Sequence, residues 1–342
     1  MFAFDLVSME TLRCQILAGI LTCQLDPLAW CFLVDIPLVV FDFPELEPNH
    51  TAMNRRHFLQ ASLATSIAMP AFALDKNNKY RKDIGIQLYT LRNQIKADVA
   101  GTLKAVAGAG YKQVEAYGFD GKESPMIKEA KANGLAVNSS HFNWECVTNP
   151  EKEGVGSFDE ILEGAQKVGL THLVVPYLHG HERKGLDGYK KIAENCNKAA
   201  AKAKCIGIKL AYHNHSFEFE PLGKDGKHGY DVLVDEFSKD MLFEVDVFWV
   251  KCADVCPVSL IQKLSGRVSQ LHLKDLKAGI ELPKYGGLPK DAFQELGNGI
   301  IDMEPIIEVA AEAGVAHCHV EQDQSPDPIA SIRESMGYLQ GL

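Results

Sequence analysis

The amino-acid sequence predicts an α/β protein whose main domain is a (β/α)₈ barrel. Eight short apolar runs alternate with helical stretches between residues 80 and 342. Glycines such as Gly169 and Gly207 stand between a helical stretch and the next apolar run, at the helix end that favours a left-handed residue. Continuous apolar strands separated by helices are typical of a parallel sheet, and eight such units are enough to close a barrel.

The eight predicted strands are IGIQLYT (84–90), KQVEAY (112–117), LAVNSSH (135–141), THLVVPY (171–177), IKLAYH (208–213), LFEVDV (242–247), VSQLHLK (268–274) and AHCHVEQ (316–322). The clearest helical stretches between them are VAGTLKAVAGAG (99–110), IKEAKANG (127–134), FDEILEGAQKVG (158–169), YKKIAENCNKAAAKAKCIG (189–207) and DMEPIIEVAAEAG (302–314). An open doubly wound sheet is the alternative fold. That fold often carries a glycine-rich turn after its first strand, and neither GxGxxG nor GxxxxGKS/T follows any of the eight runs.

The segment 53–73, MNRRHFLQASLATSIAMPAFA, has the pattern of an export signal. A twin arginine, Arg55-Arg56, precedes a mild apolar run, and a small-x-small cleavage pattern ends at Ala73. The segment resembles a bacterial twin-arginine signal peptide and predicts a periplasmic or exported protein; an amphipathic first helix is the alternative. Because the apolar run is too short to span a membrane well, we expect no stable membrane insertion after signal removal.

Residues 1–52 precede this signal, although such signals normally stand at the start of a protein. Our hypothesis is that Met53 is the true start and that residues 1–52 are an upstream, non-native extension. The competing interpretation is an extra membrane anchor built on PLAWCFLVDIPLVVFDF (27–43), which Asp35 interrupts. Residues 80–342 contain no long linker and are predicted to form a single catalytic barrel domain.

The formal net charge of −10 opposes a nucleic-acid partner, because a DNA or RNA binder needs a basic stripe that neutralises phosphates. The lysines are scattered over predicted helix faces, as is typical of a solvated surface. We therefore expect a small-molecule partner.

Polar and ionisable residues concentrate at the ends of the predicted strands. In (β/α)₈ barrels the chemistry lies at the C-terminal ends of the strands, and charged side chains inside strands are costly unless they are paired or bind a metal. In chain order these residues are Gln87, Tyr89, Thr90, Glu115, Ser140, His141, the segment from His213 to Glu218, Glu244, Asp246, His272, Lys274, Asp275, His319, Glu321 and Asp323. Their concentration at one rim predicts an active site.

Runs five to eight each offer a metal ligand near their end: Glu218 (or His213), Asp246, His272 and Glu321. Consecutive strand ends converge at the mouth of a barrel, and a mixed carboxylate and imidazole set suits Mn²⁺, Co²⁺, Zn²⁺ or Mg²⁺. Each residue alone has a simpler explanation, such as Asp246 capping the next helix or His272 lying in the core. Four in register are harder to explain by packing.

Several segments together resemble the sugar phosphate isomerase/epimerase family of xylose isomerase-like TIM barrels. They are AYHNHSFEF (211–219), FEVDVFWV (243–250), GRVSQLHLKD (266–275), ELGNGIIDM (295–303), HVEQD (319–323) and ESMGYL (334–339). The resemblance covers residues 84–340 and implies one divalent metal, most often Mn²⁺, on a Glu, an Asp, a His and a Glu from strands five to eight. Carried over residue by residue, it implies Asp246, His272 and Glu321 as ligands.

Strand five departs from the family pattern. Many members have a glutamate at the end of this strand, where the present chain has His213-Asn214-His215 and a later glutamate, Glu218. We favour Glu218 as the fourth ligand, because a third carboxylate suits a hard divalent ion, and His213 is the alternative. If Glu218 binds the metal, His213 and His215 are free for acid/base chemistry or substrate contacts.

Such a site suits proton abstraction next to a carbonyl group, with a metal that stabilises the developing negative charge. The candidate catalytic residues are Glu218, Glu321, His213, His215 and Lys274. The candidate substrate-binding residues are Gln87, Tyr89, Glu115, His141 and Trp249, with Trp144 as a further stacking residue.

The predicted function is a metal-dependent sugar isomerase or epimerase. Because phosphorylated sugars are mainly intracellular and the chain carries an export signal, we expect an unphosphorylated keto-sugar or keto-glycoside as substrate. A keto-glycoside lyase or dehydratase would use the same chemistry. Two distant alternatives are an apurinic endonuclease-like nuclease, which the acidic charge opposes, and a non-catalytic sugar-binding protein, which would not need the metal ligands.

Overall fold

The computed structural model describes residues 78–223 and 226–342 of the chain. The predicted upstream extension (1–52) and twin-arginine signal (53–73) therefore lie outside the described residues. The start of the catalytic domain near residue 80 stays a prediction. None of the described helices is long and apolar enough to cross a bilayer.

Eight parallel strands close into a barrel in the order β1-β10-β7-β6-β5-β4-β3-β2. These strands are β1 (Gly85–Gln87), β2 (Gln113–Phe119), β3 (Ala136–Phe142), β4 (His172–Val175), β5 (Lys209–His213), β6 (Met241–Asp246), β7 (Val268–Leu273) and β10 (His317–Val320). Pairing of β1 with both β2 and β10 closes the sheet. The predicted (β/α)₈ barrel is confirmed, and each of the eight apolar runs supplies one strand.

Helices follow the strands and surround the barrel. They are α1 (Lys79–Lys82), α2 (Arg92–Ala97), α3 (Val99–Gly108), α4 (Pro125–Ala132), α5 (Glu145–Thr148), α6 (Phe158–Val168), α7 (Gly185–Cys205), α8 (Gly229–Glu236), α9 (Val247–Cys252), α10 (Pro257–Lys263), α11 (Met303–Glu312) and α12 (Pro328–Gly341). Short 3₁₀ turns occupy Leu88–Leu91, Phe217–Phe219 and Lys290–Ala292. Gly169 ends α6 with a φ of 80°, in agreement with the left-handed helix end predicted from the sequence.

A small antiparallel hairpin, β8 (Asp275–Leu276) with β9 (Phe293–Gln294), follows β7 outside the barrel. The Asp275 carboxylate accepts backbone N–H groups of Gly297, Gly299 and Ile301 at 2.9–3.0 Å. A side chain at Gly299 would start 2.1 Å from Asp275 Oδ1. The segment ELGNGII (295–301) thus wraps its backbone around one carboxylate and fixes the loop after β7.

The interior of the barrel is polar, although such barrels are usually filled with branched apolar side chains. Strands β6 and β7 alternate apolar and polar residues, as FEVD (243–246) and QLHL (270–273). Because successive side chains of a strand face opposite sides, the polar residues face the barrel interior and the apolar ones face the helix layer. His272 of β7 contacts Glu115 of β2 at 2.8 Å. Because these strands are not neighbours in the sheet, this contact crosses the interior of the barrel.

Candidate metal centre

The strand ends of β5, β6, β7 and β10 bring four potential ligands together at the mouth of the barrel. These are His213, Asp246, His272 and Glu321, here called the upper cluster, and one ligand atom from each lies within 4.8 Å of the others. All four side chains are buried, with at most 4% of any residue exposed. The structure thus gathers the predicted ligands Asp246, His272 and Glu321 in one place.

His213 presents a lone pair to this cluster. Its Nδ1 lies 3.2 Å from the carbonyl oxygen of Pro176, and a carbonyl can only accept, so Nδ1 carries the hydrogen. Burial lowers the pKa of His213, which favours the neutral ring. The unprotonated Nε2 then faces Asp246 Oδ2 at 3.2 Å. Two acceptors that face each other at this distance are the arrangement that a cation between them would satisfy.

Asp246 divides its two oxygens between the helix and the cluster. Oδ1 accepts the N–H groups of Phe248 (3.0 Å) and Trp249 (3.2 Å) and so caps the start of α9. Oδ2 faces His213 and Lys274. The helix-cap interpretation of Asp246 and the ligand interpretation are therefore compatible, because each uses a different oxygen.

His272 lies between two sets of carboxylates. Its Nδ1 is 2.8 Å from Glu321 Oε2 but lacks hydrogen-bond alignment to any group in the described part of the chain. Its Nε2 is 2.8 Å from Glu115 Oε1 and 3.2 Å from Glu244 Oε2. Burial alone would lower the pKa of His272, but the surrounding carboxylates, led by Glu244 and Glu321, raise it well above its usual range.

Lys274 balances the carboxylates at the mouth. Its Nζ lies 3.0 Å from Asp246 Oδ2, 2.7 Å from Glu321 Oε2 and 3.0 Å from Asp323 Oδ2. These carboxylates, led by Asp246, outweigh the effect of burial and hold the lysine pKa well above its usual range. The ammonium and a metal ion would share the same two oxygens, so metal binding is expected to displace Lys274 towards Asp323.

The upper cluster fits a divalent metal. Two carboxylates and two imidazoles are a ligand set that Mn²⁺, Co²⁺ and Zn²⁺ accept. The ligands are oriented by hydrogen bonds behind them, from His213 to Pro176 and from the start of α9 to Asp246. Such supporting bonds are typical of metal ligands in proteins.

Glu218, the favoured ligand in the sequence analysis, lies elsewhere. Its Oε1 accepts a hydrogen bond from the Tyr212 hydroxyl at 2.7 Å, and its Oε2 accepts one from the His215 backbone N–H at 2.9 Å. Alternate residues of a strand face opposite sides, so Tyr212 and its partner Glu218 lie behind β5 while His213 faces the barrel axis. The structure therefore brings His213, the alternative, and not Glu218 into the fourth position of the upper cluster; the identity of the fourth metal ligand stays a prediction.

A cavity of about 460 Å³ opens above the upper cluster. Its lining residues are Tyr89, Tyr117, Gly118, His141, Phe142, Asn143, Trp144, Pro176, Tyr177, His213, His215, Lys274, Glu321 and Asp323. Tyr117, Asn143 and Tyr177 also line the cavity but were not predicted from the sequence. Tyr177 ends the fourth apolar run, so the strand-end rule could have found it.

Gln87, Glu115 and Trp249 were predicted to bind substrate, but none of them lines this cavity. Gln87 Nε2 donates to Glu115 Oε1 at 2.6 Å, and both residues are fully buried. Trp249 packs its ring 5.1 Å from that of His215 and lies beneath the Lys274 ammonium. These residues support the groups that line the cavity, and their contact with a substrate stays a prediction.

His141 and His215 do line the cavity and have opposite charge preferences. Burial disfavours a charge on His141, but Glu115 and Glu244 raise its pKa to about 9. Its Nε2 lies 3.0 Å from Glu244 Oε2. Burial and the neighbouring His213 ring lower the pKa of His215 well below its usual value. At neutral pH the cavity therefore has one cationic imidazole, His141, and two neutral ones, His213 and His215.

Comparisons with known proteins agree with this geometry. Residues 103–342 match the family model described as xylose isomerase-like TIM barrel. An inosose dehydratase from Clostridium perfringens is 28% identical over 247 residues, which are 66% of this chain and 82% of that protein. The crystal structure of a sugar phosphate isomerase/epimerase from Parabacteroides distasonis is 25% identical, covers 75% of this chain and 97% of its own, and superposes with a TM-score of 0.60.

A 3-keto-D-glucoside 4-epimerase from E. coli has the same fold, with a TM-score of 0.56 and 17% identity. The match covers 76% of this chain and 99% of that structure.

Metal affinity distinguishes His213 from Glu218. We expect His213→Gln and Asp246→Asn to weaken Mn²⁺ binding at least about tenfold, because each removes a ligand. Glu218→Gln should leave the affinity unchanged, because its carboxylate is bonded to Tyr212 and His215. Isothermal titration with Mn²⁺ measures all three variants. Loss of binding in Glu218→Gln with retention in His213→Gln would contradict the assignment.

The raised pKa of Glu218 predicts that the stability of the fold depends on pH. Burial raises its pKa from 4.5 to about 7, so between these pH values the folded chain retains a proton that the unfolded chain loses. Stability relative to a neutral side chain therefore falls as the pH rises through this window. We expect the free energy of unfolding of Glu218→Gln to rise, relative to that of the wild type, by about 3 kcal/mol between pH 5 and pH 8.

Denaturant unfolding of both proteins in chelator, at each pH, measures this difference. A difference that stays constant with pH would show that Glu218 titrates normally in the folded chain.

Proposed function

The chain belongs to the xylose isomerase-like TIM barrel family, and from this premise we propose that it is a metal-dependent sugar isomerase or epimerase. The observation that carries the proposal is the upper cluster of four buried ligands, two of which, His213 and Glu321, line a cavity that also contains Lys274 and His215. A non-catalytic sugar-binding protein would not need this cluster. The relatives named as sugar-modifying enzymes support an enzymatic role.

The metal would be held by His213, Asp246, His272 and Glu321. A divalent ion, with Mn²⁺ expected and Co²⁺, Zn²⁺ or Mg²⁺ as alternatives, would act as a Lewis acid on a carbonyl oxygen and increase the acidity of the adjacent C–H. The catalytic role predicted for His213 is thereby replaced by a ligand role, and Glu321 serves as a ligand beside Lys274.

Three cavity side chains are suited to moving protons. Burial lowers the pKa of His215, so its ring is neutral and presents an unprotonated nitrogen, although as a weaker base than an ordinary imidazole. Burial raises the pKa of Asp323 to about 6, against the opposing effect of the Lys274 ammonium, so this carboxyl can also exchange protons near neutrality. Lys274 is a donor fixed by three carboxylates. A base on one side of the substrate and a donor on the other would give isomerisation or epimerisation.

The cavity favours an unphosphorylated substrate. Among the described residues that line it, Lys274 is the only lysine or arginine, and carboxylates already surround its ammonium. A sugar phosphate normally requires cationic side chains that are free to contact the phosphate oxygens. The aromatic side chains Tyr89, Trp144 and Tyr177 instead provide surfaces for sugar C–H groups. An unphosphorylated keto-sugar or keto-glycoside fits this lining.

A keto-glycoside lyase or dehydratase is the second candidate. It would begin with the same proton abstraction and continue with loss of a β-substituent instead of reprotonation. The similarity to inosose dehydratase, which extends over 82% of that protein, favours this candidate. Product analysis separates the two reactions, because elimination creates an unsaturated product and epimerisation does not.

Export through the twin-arginine pathway is part of the proposal and rests on segment 53–73 alone. Expression of the natural gene should yield a mature chain that starts at Leu74. N-terminal sequencing of the natively produced protein tests this, and a mature terminus upstream of Leu74 would refute export by this signal.

Turnover by the Mn²⁺-loaded protein tests the proposed activity. We expect conversion of 3-keto-glucosides or inosose, no conversion of ketose phosphates, and loss of activity in chelator. Lys274→Met should lower kcat about 10²–10⁴-fold, because it removes a proton donor, and should bind Mn²⁺ at least as tightly, because the competing ammonium is gone.

Lys277→Met is the matched control, since Lys277 pairs with Asp291 at the surface, and should retain wild-type kcat. Absence of turnover on every unphosphorylated keto-sugar, or full activity of Lys274→Met, would refute the proposed mechanism.

A further inference from the structure

A second group of ligands lies deeper in the barrel, beneath the upper cluster. Glu115 of β2, Glu244 of β6 and His319 of β10 are all 0% exposed. One oxygen of each glutamate, one nitrogen of His319 and one nitrogen of His272 lie within 4.8 Å of one another. These four residues are here called the lower cluster. His272 belongs to both clusters, because Nδ1 faces Glu321 and Nε2 faces Glu115 and Glu244. Occupation of both clusters at once therefore requires His272 as a bridging imidazolate, with its ring proton released to solvent on metal binding.

We propose that the lower cluster binds a second divalent cation, of the Zn²⁺ class, which has a structural role. Ligand atoms about 2.1 Å from one ion are roughly 3–4 Å apart, so the four side chains need only small movements. The two carboxylates match the charge of a divalent ion, and two imidazole nitrogens suit Zn²⁺ better than Mg²⁺ or Ca²⁺.

His319 is the residue that points to a ligand. Neither of its ring nitrogens has a hydrogen-bond partner in the described part of the chain, although the residue is fully buried. A buried polar group without a partner costs on the order of 1–3 kcal/mol. Coordination of a cation would use one nitrogen of this ring and remove much of that cost.

The backbone makes room for the His319 ring. A side chain at Gly85 would start 2.5 Å from His319 Cδ2 and 2.9 Å from the backbone oxygen of Cys318. Any residue other than glycine at position 85 would therefore push the His319 ring out of its position.

The glutamates are oriented by donors behind them, as ligating carboxylates usually are. Glu115 accepts hydrogen bonds from Gln87 (2.6 Å) and from the Ser139 hydroxyl. Glu244 accepts one from Gln270 at 3.0 Å. These uncharged donors fix the carboxylates but leave their negative charges to be balanced by cationic neighbours.

The lower cluster differs from the upper cluster in access. Neither Glu115, Glu244 nor His319 lines the cavity, whereas His213 and Glu321 of the upper cluster do. Four protein ligands without an open position are typical of structural zinc sites, and an open position is typical of catalytic ones. The lower ion is thus expected to hold β2, β6, β7 and β10 together and to take no direct part in turnover.

Metal stoichiometry tests this proposal without any substrate. After dialysis against Zn²⁺, elemental analysis should find two equivalents per wild-type chain and one in His319→Leu. Asp246→Asn should also retain one, because it disrupts only the upper cluster. His317→Leu is the matched control: His317 precedes His319 by two residues on the same strand but is not part of either cluster, so this variant should bind two equivalents.

Anomalous diffraction at the zinc edge from wild-type crystals gives a result that does not depend on folding of a variant. Two peaks are expected, one in contact with His319. One equivalent at saturation, or a single peak at the upper cluster, would overturn the proposal and show that protons on His141 and His272 neutralise Glu115 and Glu244. Two equivalents in His319→Leu would likewise overturn it.

Discussion

The structure depends on the neutralisation of four carboxylates inside the barrel. Glu115, Glu244 and Asp246 are 0% exposed and Glu321 only 4%. An ionised carboxylate in such surroundings costs several kcal/mol unless cations and hydrogen bonds compensate it. Compensation here comes from imidazoles and from Lys274, and a divalent metal would supply more. The polar interior of the barrel and the cavity above it are arranged around this requirement.

His272 connects the two parts of this polar interior. One ring nitrogen faces Glu321 at the mouth, and the other faces Glu115 deep in the barrel at the same distance of 2.8 Å. A change in the charge of either set of carboxylates therefore changes the proton or ligand that the ring holds on the opposite side. Lys274 makes the corresponding link between the upper cluster and the cavity, because it contacts Asp246, Glu321 and Asp323.

The sequence was sufficient for the barrel because alternation of apolar runs and helices is a long, repeated signal. It also predicted that Asp246, His272 and Glu321 lie together, because they stand directly at strand ends; their role as metal ligands stays a prediction. The choice between His213 and Glu218 needed the path of the chain after β5, where a 3₁₀ turn directs Glu218 to Tyr212. The depth of Glu115 and Gln87 was equally inaccessible, because position along a strand does not reveal which interior layer a side chain reaches. The β8–β9 hairpin has strands of two residues, too short for any periodicity.

The proposed reaction begins when the groups around this cavity remove a proton from carbon next to a carbonyl. Deuterium incorporation tests it most directly, since both epimerisation and elimination begin with that step. Metal-loaded protein would be incubated with a 3-keto-glucoside in D₂O and followed by NMR. We expect deuterium at the carbon next to the carbonyl in substrate or product, and much slower incorporation with Lys274→Met. Product formation with complete retention of the original hydrogen at every such carbon would contradict it.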